Sequence, residues 1–233
     1  STHTKLLSLP RSALLLAAAM FTCAADAQLM ISGKLTGEFT NAAGPNDTVT
    51  NAPDGSSASF VSGITYGEGS VPTSIEFTQK NFTDIGPGLV ADDLFTITNG
   101  RNLLNSTATS AQFALSISLT SPEAHSGLLT TIPFTIDNTP NNGGLIDDAF
   151  TISAAPIAPF DYAGYRVQFT FVAPPAFQIP ENQSMPAGAL YVNFTPVPEP
   201  STYALAGAAL LVGLIGWRTV RQRRKVDSAT PTT

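Results

Sequence analysis

The stretch Gln112-Phe-Ala-Leu-Ser-Ile-Ser-Leu119 decides the fold class, because its large apolar residues fall at every second position. Successive side chains of an extended strand point to opposite faces, so this spacing gathers the apolar residues on one face and the polar residues on the other. Such alternation is typical of a strand with one buried and one solvated face. The stretch therefore predicts a sheet that covers a hydrophobic core.

The same alternation recurs along the chain, in the segments Ile31–Phe39, Ile75–Phe77, Ile132–Ile136, Tyr165–Phe171 and Leu190–Phe194. Further strands are predicted at Ser59–Tyr66, Leu94–Thr98 and Ala149–Ser153, and no window between Ile31 and Phe194 shows a convincing helical stripe. Turn-forming residues cluster between the runs. We therefore predict an all-β domain over residues 28–196, with about nine strands in an antiparallel β-sandwich of jelly-roll or immunoglobulin-like type. A closed barrel is the alternative.

The N-terminal segment has the composition of a secretory signal peptide. Lys5 and Arg11 precede the apolar run Ala13–Phe21, and small residues at Ala25 and Ala27 offer an A-x-A cleavage site. We expect a signal-peptide helix over residues 1–27, export by the Sec machinery and a mature chain that begins at Gln28. A buried first helix is the alternative. The only cysteine, Cys23, falls inside this segment, so we expect a mature chain without thiols.

The C-terminal segment has three parts. Val197-Pro-Glu-Pro-Ser-Thr202 is followed by the apolar run Tyr203–Trp217 and then by a basic cluster, Arg218, Arg221, Arg223, Arg224 and Lys225. We predict a single transmembrane helix over 203–217, although 15 residues span only about 22 Å of a roughly 30 Å hydrocarbon core. Tyr203 and Trp217 are placed at the two interfaces, and Arg218 can snorkel. The basic cluster and a polar tail over 226–233 then face the cytoplasm.

This arrangement resembles the PEP-CTERM sorting domain of Gram-negative bacteria over residues 197–225, including the motif Pro198, Glu199 and Pro200 itself. The resemblance implies that an exosortase, a membrane peptidase, recognises the motif and processes the chain near it. It also implies a transient membrane anchor, followed by delivery to the cell surface or extracellular matrix. An ordinary single-pass anchor after a proline-rich linker is the alternative.

Part of the domain resembles a second family, choice-of-anchor K. The matching pieces are Leu94–Gly100, Thr139–Asn141 with Ile146–Ile152, and Tyr165–Phe169. That family is found on proteins with interchangeable C-terminal anchors. The resemblance implies a displayed β-sandwich and no particular reaction.

The charge of the predicted domain is strongly negative. Residues 28–200 hold four basic and fifteen acidic residues, a net charge of −11. Nucleic acids and anionic lipids repel such a surface, because binding to phosphates requires Lys or Arg. We therefore exclude nucleic acid as a partner.

Catalytic residues are scarce. His125 is the only histidine after residue 27, and Ser121–Gly127 around it is predicted to form an exposed turn. The pairs Asp92-Asp93 and Asp147-Asp148 each follow a Gly-rich loop, and could bind calcium if both loops met at one end of the domain. The alternative is that these four residues are solvated charges at the starts of strands, with no cofactor.

We therefore predict a non-enzymatic exported protein of the cell surface or matrix, a structural or adhesive module associated with exopolysaccharide or biofilm. The alternatives are a calcium-dependent carbohydrate-binding module and a secreted carbohydrate-active enzyme. Tyr162, Tyr165 and Tyr191 are the candidates for stacking on sugar rings.

Overall fold

The computed structural model describes residues 28–44, 46–63, 71–101, 109–138, 147–153, 156–198, 204 and 207–218. These residues form fifteen strands and a C-terminal helix over 207–218. The strands are β1 (Ile31–Thr40), β2 (Thr48–Asn51), β3 (Ser57–Ser62), β4 (Thr73–Thr78), β5 (Lys80–Ile85), β6 (Gly88–Ala91), β7 (Phe95–Asn99), β8 (Thr109–Ser121), β9 (His125–Asp137), β10 (Asp148–Ile152), β11 (Phe160–Tyr162), β12 (Tyr165–Val172), β13 (Ala176–Ile179), β14 (Gln183–Ala187) and β15 (Ala189–Pro196).

The prediction of an all-β, antiparallel domain is confirmed. The six alternating runs lie in β1, β4, β8, β9, β12 and β15, and β3, β7 and β10 account for the three further predicted strands. Six strands were missed, namely β2, β5, β6, β11, β13 and β14. They are three to six residues long, and among strands of this length only β3, β4, β7 and β10 were predicted from the sequence.

The strands form three antiparallel sheets. The six-stranded sheet has the order β13-β10-β9-β8-β1-β5, the five-stranded sheet β14-β7-β4-β3-β2, and the four-stranded sheet β11-β12-β15-β6. The long β8–β9 hairpin forms the centre of the six-stranded sheet. Pro133 lies inside β9. The last residue pair between β9 and β10 is Phe134 with Ile152, directly beside this proline. Proline lacks the N–H that a further ladder bond would need.

One part of the predicted β8–β9 turn was wrong. We expected an exposed turn over Ser121–Gly127, but β9 already begins at His125 and only residues 122–124 lie between the strands. The pairing of Leu119 with His125 extends the hairpin to this point. Sequence reasoning missed the extension because the segment from His125 to Gly127 carries no apolar alternation.

Phenylalanine rings join the three sheets. Phe113 of β8 lies 4.8 Å from Phe77 of β4 and 5.0 Å from Phe95 of β7, measured between ring centroids. Phe95 also lies 4.9 Å from Phe134 of β9 and 6.3 Å from Phe171 of β12. The six-stranded sheet therefore packs against the five-stranded sheet, and the five-stranded sheet contacts the four-stranded sheet through Phe95 and Phe171. Every residue of the buried hydrophobic cluster lies between Leu29 and Val192, so residues 28–196 carry a core of their own.

The C-terminal helix lies outside this core. Each of its described side chains is exposed. The predicted transmembrane helix begins at Tyr203, which is outside the described residues. Within the part of the chain that the structure describes, no helix has both the length and the apolarity to cross a membrane.

Gly37 of β1 makes room for the central ring. A Cβ atom at this position would lie 2.3 Å from a ring carbon of Phe113 and 2.7 Å from the Ala114 carbonyl oxygen. A Cβ atom added to Gly127 of β9, in the same sheet, would meet no atom within 4 Å. The glycine at position 37 is therefore required by packing, whereas the glycine at position 127 is not.

We predict that Gly37→Ala lowers the free energy of unfolding by about 1–3 kcal/mol, the usual cost of overpacking a core. Gly127→Ala is the matched control, and should leave stability unchanged or raise it by up to about 1 kcal/mol, since alanine is favoured over glycine inside a strand. Urea denaturation of the 28–196 fragment measures both. Equal stabilities of the two variants would contradict the packing described for Phe113.

Candidate functional site

The last strand leads directly into the predicted sorting motif. Pro196 of β15 is still opposite Tyr165 of β12, and the Val197 N–H donates to the Gly164 carbonyl at 2.9 Å. The next residue, Pro198, is exposed. The motif residues Glu199 and Pro200 lie outside the described residues. Pro198 is therefore the first described residue beyond the hydrogen bonds of the sheet.

Beyond the motif, the helix over 207–218 exposes a continuous apolar surface. Its large apolar side chains are 52–70% exposed, namely Leu210, Leu211, Val212, Leu214, Ile215 and Trp217. Contiguous apolar surface of this kind marks a segment that binds another apolar phase or a protein. Arg218 ends the described helix, where a cation is favourable at the C-terminus. Tyr203, Arg221, Arg223, Arg224 and Lys225 lie outside the described residues, as do Ala25 and Ala27, while Gln28 is exposed.

The four aspartates of the predicted calcium site lie at two places. Asp92 and Asp93 follow β6 and are exposed, with the Asp93 N–H donating to Asp92 Oδ1 at 2.9 Å. Asp148 is buried at the start of β10, and Asp147 before it is exposed. Among the described residues, no three His, Cys, Asp or Glu side chains form a group that could hold a metal ion. The structure therefore does not gather these four carboxylates around one cation.

His125 stacks on an aromatic ring. Its centroid lies 4.6 Å from that of Phe160, with the rings inclined by 12°, and 6.0 Å from that of Tyr162. The two stacked residues line a shallow groove of about 210 Å³, together with Leu128 and Pro159. Small-molecule sites usually have about 300–1,000 Å³. The groove is therefore smaller than a typical active-site cleft.

The hydroxyl of Tyr162 holds the β8–β9 turn. Tyr162 is 5% exposed, and its hydroxyl donates to the Glu123 carbonyl and accepts from the Glu123 N–H at 2.9 Å. Tyr162 belongs to β11 of the four-stranded sheet, and Glu123 lies in the β8–β9 turn of the six-stranded sheet. One side chain thus satisfies two backbone groups of a turn in the facing sheet.

The three tyrosines that could stack on sugar rings differ in exposure. Tyr162 is buried, and Tyr165 is half-buried with its ring 6.5 Å from that of Phe194. Tyr191 is 42% exposed on the outer face of β15. Among these three, the structure leaves only Tyr191 with a ring available to a large ligand.

An ion pair between a buried carboxylate and a half-exposed arginine, just after β7, was not expected from the sequence. The side chain of Glu181, in the β13–β14 turn, is 1% exposed, and its Oε1 lies 3.3 Å from Arg101 Nε. Asn99 of β7 is also buried and donates from Nδ2 to the Ile179 carbonyl at 2.6 Å. A buried carboxylate is costly without a cation beside it. These contacts therefore fix the turn against β7, and a lone Glu after a proline gives no signal of this in the sequence.

The comparison with protein families identifies the C-terminal segment. The family model described as the PEP-CTERM protein-sorting motif matches residues 196–224, which confirms the sorting motif predicted from the sequence. The match begins at the last residue of β15. It indicates an exported protein that an exosortase sorts to the cell surface. A comparison with curated proteins gave no match.

We predict that Tyr162→Phe lowers the free energy of unfolding by about 1–3 kcal/mol, because two partly buried backbone groups of Glu123 lose their partner. Tyr191→Phe removes the same hydroxyl from an exposed residue, and should change stability by less than about 0.5 kcal/mol. Thermal and urea denaturation of the 28–196 fragment compare the two. A Tyr162→Phe variant as stable as Tyr191→Phe would show that the Glu123 contacts contribute nothing.

Proposed function

We propose that this chain is a non-enzymatic surface or extracellular-matrix protein, which an exosortase sorts and which then acts as a structural or adhesive module in exopolysaccharide. The observation that carries the proposal is the position of the sorting motif. It starts at residue 196, where the last strand of the domain ends. The folded domain and the sorting signal are thus adjacent, with no intervening linker.

The sorting route follows from the two ends of the chain. Residues 1–27 direct export through the Sec machinery across the inner membrane of a Gram-negative bacterium. The apolar segment Tyr203–Trp217 then holds the chain in the membrane, with the basic residues from Arg218 to Lys225 in the cytoplasm. The exposed apolar surface of residues 207–218 supports this anchor, because water is an unfavourable environment for it. Processing near Pro198 releases the domain to the cell surface.

We interpret the domain as a β-sandwich of the jelly-roll or immunoglobulin-like type, similar to the choice-of-anchor K domains. The ring contacts of Phe113 and Phe95 across the sheets support this interpretation. We propose a non-enzymatic role for it because catalytic residues are scarce in the sequence, where His125 is the only histidine after residue 27. Among the described residues no three His, Cys, Asp or Glu side chains form a metal-binding group, and we do not extend the proposal to calcium.

We predict that replacing Pro198, Glu199 and Pro200 together by alanine blocks maturation. The full-length form should then accumulate in the inner membrane, because the exosortase no longer recognises its substrate. Immunoblots of membrane and surface fractions from cells of an exosortase-containing host measure the ratio of precursor to product.

The matched control is the double variant Pro174→Ala, Pro175→Ala. It removes two exposed prolines that lie between β12 and β13, outside the motif. This control should mature like the parent. Release of the triple-alanine variant at the parental rate would overturn the sorting proposal.

We also predict the topology of the precursor. A reporter that is active only in the cytoplasm should work when fused after Lys225, and one that is active only in the periplasm should work when fused after Thr195. The basic cluster determines this orientation by the positive-inside rule. The opposite activities would contradict the orientation, and a periplasmic signal at both positions would contradict the anchor.

A further inference from the structure

The outer face of the four-stranded sheet carries an ordered set of polar and apolar side chains. β12 and β15 pair along their full lengths, and alternate residues of each strand point away from the core. The outward residues form cross-strand rows, namely Val172 with Ala189; Thr170, Tyr191 and Leu89; Gln168 with Asn193; and Asp161, Arg166 and Thr195. We call this set the outer platform. Four rows two residues apart span about 20 Å.

A β-bulge forms the apolar end of the platform. In the pairing of β15 with β6, Leu190 lies opposite Ala91 and Tyr191 lies opposite Leu89, so Val90 is the extra residue. Val90 and Ala91 are both buried, whereas Leu89 is 45% exposed. A bulge changes the direction in which the following side chains point. Here it places Leu89 beside the ring of Tyr191 on the outer face.

The apolar end is broader than a single exposed side chain. Tyr191 is 42% and Val172 is 51% exposed, and these residues lie on neighbouring strands in adjacent rows, which are two residues apart. Diagonal neighbours of this kind lie about 7–8 Å apart, within reach of an aromatic side chain. Together with Leu89 they form a flat apolar surface that no described residue covers.

The middle of the platform carries two amide groups that are already ordered. Gln168 Nε2 donates to the carbonyls of Ile157 at 2.7 Å and Phe169 at 2.8 Å. Asn193 Oδ1 accepts from the Phe194 N–H at 3.0 Å, which directs its Nδ2 away from the backbone. Side chains that are held in place lose little entropy when a ligand binds.

The platform has no net charge. Its only ionised residues are Asp161 and Arg166, which form an exposed ion pair at 3.1 Å. Exposed ion pairs of this kind contribute little to the stability of a fold. The domain as a whole carries −11 between residues 28 and 200, and repels anionic polymers. The platform offers the face of an aromatic ring, amide and hydroxyl groups, and an ion pair whose charges cancel. Such a surface is complementary to an uncharged chain that is rich in hydroxyl groups.

We propose that the outer platform binds a neutral polysaccharide, with the ring of Tyr191 stacked on a sugar ring. The amides of Gln168 and Asn193 and the Asp161–Arg166 pair bind hydroxyl groups of the following sugars. The inference deepens the proposed function, since it assigns the adhesive surface of the exported domain. It does not depend on the groove beside His125.

Affinity electrophoresis tests this site. The 28–196 fragment is run through native gels that contain soluble neutral glucan, galactan or mannan, and through a gel that contains the anionic polymer alginate. We expect retardation by at least one neutral polysaccharide and none by alginate. A parent fragment that none of the three neutral polymers retards, or that only alginate retards, overturns the proposal.

Variants at position 191 separate the platform from other surfaces. Tyr191→Ala should weaken the apparent affinity at least about tenfold, whereas Tyr191→Phe keeps the ring and should stay within about threefold of the parent. The control Leu128→Ala truncates a side chain that is 63% exposed in the His125 groove, and should bind like the parent. Melting temperatures confirm that all variants are folded. If the polysaccharide retards the Tyr191→Ala variant as strongly as the parent, the outer platform is not the binding site.

A failure of the polysaccharide proposal can be distinguished from a failure of the proposed sorting function. Loss of maturation in the Pro198–Pro200 alanine variant depends on the sorting segment and not on Tyr191. If maturation follows the sorting motif but no neutral polysaccharide binds, the platform proposal fails while the sorting proposal stands.

Discussion

The packing of the six-stranded sheet on the five-stranded sheet depends on the ring of Phe113. Its centroid lies within 5.0 Å of the rings of Phe39, Phe77 and Phe95, so one side chain of the six-stranded sheet meets a neighbour in its own sheet and two residues of the facing one. Each aromatic pair contributes about 0.5–1.5 kcal/mol beyond the burial of its area. This ring leaves no room for a side chain at position 37 of the adjacent strand, which is therefore a glycine.

Because the inner faces are occupied by this core, the outer faces and the strand ends are left for function. The end of β15 is held by Val197 to the β11–β12 turn, which fixes the point where the sorting segment leaves the domain. The outer face of β15 presents Tyr191 only a few residues earlier. Edge strands of the sheets are short, and Pro180 follows β13 directly, so a displayed domain offers little edge for pairing with other copies.

The longest strands, β1, β8, β9, β12 and β15, were all predicted because they show several alternations, of which β8 is the clearest, whereas the shorter strands were predicted only in part. The sequence did not predict β6 and β11, because three or four residues cannot establish a period. The positions of these two strands depend on pairing with β15 and β12. The bulge at Val90 was not predicted from the sequence either, because only the pairing with the partner strand shows which residue is extra. Tyr162, Tyr165 and Tyr191 looked alike in the sequence, and burial distinguishes them only after the sheets have packed.

The sequence by itself determined the all-β class and the sorting segment, because both depend on local order. Alternation along one strand and the succession of motif, apolar run and basic cluster are properties of neighbouring residues. The tertiary structure alone decided that Asp148 is buried, that His125 stacks on Phe160, and that Tyr191 faces outward beside Leu89. Each of these is a relation between residues distant in the chain, and is set by strand register and by the packing of one sheet on another.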